Sequence, residues 1–120
     1  MILGRVRDHS PRVRLTLPGP RGPVDVEFVV DTGFEGELAL PPSLLRQMDA
    51  AFWESRYVLM PNGQEERHAV YEVSLNWDDE PRPTEVLVLD GNPLLGMLLI
   101  DGNHLHVEAT EGGEILIEPL

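Results

Sequence analysis

The chain contains no cysteine and no lysine, few aromatic residues and no long apolar run. Without cysteine there is no disulfide, no thiolate metal ligand and no thiol nucleophile, which fits a reducing compartment and makes the cytoplasm the expected location. Without lysine, all nine basic residues are arginine, set against 21 acids for a formal charge of −12. Nucleic-acid affinity comes largely from clustered cations neutralising phosphates, so DNA and RNA are not expected partners. No segment approaches the ~20 consecutive apolar residues of a membrane span, and Met1-Ile2-Leu3-Gly4-Arg5 lacks the apolar core of a signal peptide; no membrane association is expected. Gly-x-Ser-x-Gly, His-Glu-x-x-His, Gly-x-Gly-x-x-Gly and the Walker pattern are all missing, which argues against a serine hydrolase, a zincin and a nucleotide cofactor.

At 120 residues the chain reads as one domain, residues 1–120, able to bury about two-thirds of its unfolded surface. Its charge is uneven. Residues 1–21 carry five arginines and one acid, and the remainder is strongly acidic, which reads as the polar outer face of an N-terminal strand. Eleven prolines and eleven glycines cut the sequence into short runs. Residues 12–17 alternate polar and apolar, residues 24–30 alternate and then become wholly apolar, and Pro18 to Pro23 turns between them; this predicts a hairpin whose second strand enters the core. Leu38-Ala39-Leu40 reads as a short strand and 41–48 as a short helix opened by proline. Residues 56–60 and 68–77 read as strands joined through Asn62-Gly63, a pair that tolerates positive φ. Residues 78–83 read as a solvated loop, 85–89 as a strand, 93–100 as a buried strand end passing into a short helix, and 104–108 with 114–118 as a terminal hairpin. About eight short strands and one or two short helices make the expected fold class all-β, a small closed barrel or a sandwich.

The chemistry-bearing segment is Phe28-Val29-Val30-Asp31-Thr32-Gly33. An acid directly after three large apolar residues is costly to ionise unless it is hydrogen-bonded or shares its proton. Thr32 offers a hydroxyl to brace the turn, and Gly33 leaves room beside the carboxylate. This Asp-Thr-Gly, followed by Phe34-Glu35-Gly36, by Leu38-Ala39-Leu40-Pro41, by the Asn-Gly hairpin and by Pro93-Leu94-Leu95-Gly96-Met97 about 60 residues after the acid, resembles one lobe of the retropepsin-like aspartic proteases, most of all the small prokaryotic clan AA type. The resemblance spans residues 12–118. It implies the closed barrel of that acid-protease type with one lobe per chain, Asp31 as the catalytic acid, Thr32 and Gly33 as its loop, a flap at Asn62-Gly63, and Leu94-Leu95-Gly96 packed beneath the loop. Phe34 and Glu35 stand where retroviral members usually have alanine and aspartate, and Met97 where they commonly have arginine; Phe34 and Glu35 become candidate cleft residues.

Aspartic proteolysis needs two carboxyls sharing one proton. The chain has a single Asp-Thr-Gly, since Asp90 and Asp101 precede Gly-Asn and read as turn residues, so the second carboxyl has to be Asp31 of another copy in a symmetric homodimer. The expected function is an endopeptidase acting on peptide or protein substrates; the alternative is a catalytically silent dimer of the same fold that binds peptides or assembles. Two chains at −12 each call for an apolar interface, with Ile115-Leu116-Ile117 and the Asp31 loops as the expected contacts. His104 and His106 with Glu108 have donor types suited to a metal, but they read as the polar face of a strand, and no metal or cofactor is expected. Trp53, Trp77, Phe52 and Tyr57 read as core or cleft wall.

Overall fold

A computed structural model describes all 120 residues. The chain folds as an all-β protein of ten strands and two one-turn helices: β1 (Ile2–Arg7), β2 (Ser10–Leu17), β3 (Val24–Asp31), β4 (Leu38–Leu40), α1 (Pro42–Leu45), β5 (Ala51–Leu59), β6 (Glu65–Trp77), β7 (Glu80–Val88), β8 (Leu94–Gly96), α2 (Met97–Ile100), β9 (Asn103–Val107) and β10 (Glu114–Pro119). The strands form one sheet in the order β5-β6-β7-β4-β8-β3-β2-β1-β10-β9. It curls until β6 meets β2 at the single pair Thr16 and Asn76, so the six strands from β6 to β2 make a partial ring.

Period-two patterning puts one face of β2 and β3 inside, while the short β4 is buried on both faces. Val13, Leu15 and Leu17 of β2 and Val26, Phe28 and Val30 of β3 are buried, and they pack with Leu38, Leu40, Leu75, Val86, Leu95 and Leu99 in one core. Ile115 and Ile117 of β10 are also fully buried there, which overturns their expected place at a dimer interface: their side of the strand belongs to the chain's own core. The outward faces of β1, β2 and β3 gather the N-terminal arginines, and Arg7, Arg12 and Arg14 all approach Glu27.

Several regions differ from the sequence expectation: β5 extends the strand expected over 56–60 back to Ala51, the helix expected over 41–48 is a single turn over 42–45, and two turns fall elsewhere than expected. Residues 2–7, not read as a separate strand, form β1, joined to β2 by Asp8 and His9, both at positive φ. The expected loop 78–83 is a tight turn at Asp78 and Asp79, again at positive φ, followed at once by β7. Both are two-residue turns with the twist a hairpin needs, built here without glycine. Pro81 and Pro83 are tolerated within β7 because β4 covers that strand only from Val86 to Val88; at the prolines the far side is an open edge, where no ladder donor is required.

Candidate active site

Asp31 is the last residue of β3, and β8 runs parallel beside it with Gly96 in register. The chain then turns sharply: the Phe34 amide donates to the Asp31 carbonyl at 3.1 Å, and the Gly33 amide donates to Asp31 Oδ1 at 2.9 Å. One carboxylate oxygen is thereby fixed by the backbone two residues on. The side chain is half-buried, with Thr32 and Gly33 exposed beside it.

The loop from Asp31 to Glu37 is laced to the chain beneath it. The Gly96 amide donates to the Glu37 carbonyl at 2.8 Å, the Met97 amide to the Phe34 carbonyl at 2.8 Å and the Leu98 amide to the Gly36 carbonyl at 3.2 Å. Leu95 is fully buried and Leu94 half-buried on the same strand, so the apolar-apolar-glycine motif lies directly under the Asp31 loop. A side chain at Gly96 has no room, because a Cβ there would lie 2.1 Å from the Gly36 carbonyl oxygen. Glu37 ties the far end of the loop to β7: one oxygen accepts from the Glu85 amide at 3.0 Å, and the other faces Arg82 at 3.3 Å.

Above the loop, the β5–β6 hairpin encloses a cleft of about 470 Å³. Its floor runs from Gly33 to Leu38, and its opposite wall is Arg56, Tyr57, Val58 and Leu59. Phe34 and Glu35 thus line the cleft. Asn62 and Gly63 do not; they sit at the hairpin tip, where Gly63 takes a φ of 83° and its amide closes on the Met60 carbonyl at 2.9 Å. The hairpin reaches the cleft through the last four residues of β5, before the turn begins. Tyr57 is a wall residue, whereas Phe52 and Trp53 are exposed on β5 and belong to neither core nor cleft.

Arg56, Glu37 and Glu85 were not legible as site residues. Arg56 donates to Glu85 at 3.0 Å and to Glu54 at 3.0 Å, and these bonds, that to Glu85 foremost, hold its guanidinium pKa above its already high value. All three border apolar runs and belong to no motif; the partnership of Arg56 with Glu85 follows only from the pairing of β5, β6 and β7. His104 and His106 are exposed on β9, and no three His, Asp or Glu side chains gather into a cluster able to hold a metal ion. Comparison with protein-family models, with curated proteins and with solved structures finds no match.

Proposed function

We propose that the chain is an aspartic endopeptidase of the retropepsin-like type, active as a homodimer in which each copy contributes Asp31. The reading rests on one observation above the others. An acid at the end of a core strand is held by the amide two residues on, at the start of a loop braced from below by Gly96, and the loop residues from Gly33 onward line a cleft of about 470 Å³ that Asp31 and Thr32 adjoin without lining. Exposed Thr32 and the exposed apolar side chains of Met97 and Leu98, whose amides anchor the same loop, offer a surface on which a second copy can seat beside Asp31. Those residues take the place in the interface that Ile115 and Ile117 cannot.

In the dimer two Asp31 carboxyls share one proton. The ionised group accepts a proton from water as its oxygen attacks the substrate carbonyl, and the protonated group donates a hydrogen bond to that carbonyl oxygen. Collapse of the tetrahedral adduct returns a proton to the leaving amine, and the C–N bond breaks to give a new carboxyl and a new amine. The Gly33 amide on Oδ1 keeps one oxygen of each carboxyl engaged and leaves the other to face the water. An extended peptide in the cleft would lie between the floor at Phe34 and the wall at Val58, which favours apolar side chains next to the scissile bond.

Asp31→Asn tests the reading. It preserves shape and removes the shared proton, so peptide hydrolysis by the purified protein should fall by at least about a hundredfold while the fold and peptide binding persist. Hydrolysis undiminished in Asp31→Asn would exclude Asp31 from the chemistry. Its absence from the unaltered dimer across the acid range would leave the peptide-binding module as the better account.

A further inference from the structure

The strand that walls the cleft has a second face to the world. β5 is the end strand of the sheet and pairs only with β6, so its outer edge offers unpaired backbone donors and acceptors. Four of the molecule's exposed large apolar side chains are concentrated on it: Phe52, Trp53, Tyr57 and Leu59, each 59–70% exposed. It carries no proline, and its charged guards are one acid and one base, Glu54 and Arg56. Its one irregularity lies between Phe52 and Glu54, where Trp53 has no partner on β6; the ladder from Glu54 to Leu59 is regular.

The order of side chains along β5 is self-complementary. When two copies are laid antiparallel with Ser55 opposite Ser55 along the regular run Glu54–Leu59, Glu54 of each faces Arg56 of the other. Directly opposite residues in an antiparallel pair share a face, so both charge pairs can form. Glu54 and Arg56 already share one face of β5, joined at 3.0 Å, and in the paired arrangement they become an alternating square of four charges. β5 holds one acid and one base, so its edge adds no net charge of its own to the repulsion between two chains of −12.

We infer that β5 is a docking edge for a second copy of this chain, through a two-fold antiparallel strand pair centred on Ser55. The contact is distinct from the proposed meeting of Asp31 loops and does not depend on the protease reading. A peptide of another protein could use the same backbone edge, but the palindromic placement of Glu54 and Arg56 serves only an identical strand.

The charges make the test specific. At tens of micromolar in low salt, sedimentation velocity should give the unaltered protein a weight-average mass at least about twofold that of Ser55→Arg, an exposed substitution that sets two guanidinium groups face to face on the axis. Glu54→Arg and Arg56→Glu should each fall to the lower mass, because each puts like charges across both pairs. An equimolar mixture of the two, one strand doubly basic and the other doubly acidic, should recover the higher mass, with folding of each verified by circular dichroism. A mass in Ser55→Arg equal to that of the unaltered protein overturns the proposal, as does a mixture that stays at the mass of its components, which is also the result if the edge serves a foreign peptide.

Discussion

Gly96 stands in parallel register with Asp31, and the space a side chain would need at Gly96 is filled by the loop that Asp31 begins. A Cβ there would lie 2.1 Å from the Gly36 carbonyl oxygen and 2.7 Å from the Phe34 ring. The first neighbour is backbone and cannot swing aside, so the loop itself has to lift. Gly96→Ala is therefore expected to destabilise the fold by about 2–3 kcal/mol, in the range of core overpacking, and to lower the melting temperature by about 10 °C. Differential scanning calorimetry checks this; an unchanged melting temperature would show that the loop is not clamped as described.

Glu37 holds the other end of the loop. Its carboxylate accepts from the Glu85 amide and faces Arg82, and its side chain is only 13% exposed. Glu37→Ala leaves that amide and guanidinium without their acceptor, at an expected cost of about 2 kcal/mol. Denaturant titration should show a lower midpoint with an unchanged slope, and amide exchange at Glu85 should rise. Exchange at Glu85 that stays protected would mean the bond contributes nothing.

The route from sequence to site was uneven for physical reasons. Asp31 was legible because local pattern carries it, an acid at the end of an apolar run, whereas Leu94-Leu95-Gly96 was singled out only by the resemblance. The Asn62-Gly63 turn announced itself by composition. The turns at Asp8-His9 and Asp78-Asp79 did not, since aspartate and histidine adopt positive φ only a minority of the time and tertiary pairing decides when. Ile115 and Ile117 looked like interface because exposed and buried strand faces share one periodicity; which face meets the core depends on the pairing of β10 with β1, a contact between the two ends of the chain. Arg56 was silent for the same reason: its partner Glu85 is 29 residues away.

Glu27 lies where three N-terminal arginines converge, and the hydrogen bond from Arg7, followed by the charges of Arg7, Arg12 and Arg14, holds its carboxyl below the usual glutamate range. A depressed folded-state pKa contributes stability that is fully present above the unfolded value, near 4.5, and is lost as pH falls through the folded value. The contribution is about 1 kcal/mol or less, given the solvent around the pair. Stability of the unaltered protein and of Glu27→Gln should therefore differ at pH 6 and converge as the pH drops below 4. Urea midpoints across that range provide the check, and a constant gap would show that the carboxyl is not the titrating group.

The charge of −12 also sets when two copies can meet. Acidification adds protons to a chain of 21 acids and nine arginines and so lowers its net negative charge. Repulsion between two like bodies scales with the product of their charges, so it weakens faster than the charge itself. Raising salt from 0.1 M to 1 M shortens the screening length from about 10 Å to about 3 Å and acts in the same direction. An apolar contact such as one through Met97 and Leu98 loses nothing under either change and gains under the second. Self-association should thus tighten at least about threefold from pH 7 to pH 5 at fixed low salt, and again when salt is added at pH 7. Sedimentation equilibrium on Ser55→Arg isolates the Asp31-side contact from the β5 edge, and a dimer of that variant that loosens in both conditions would mean ion pairs rather than apolar surface hold the two carboxyls together.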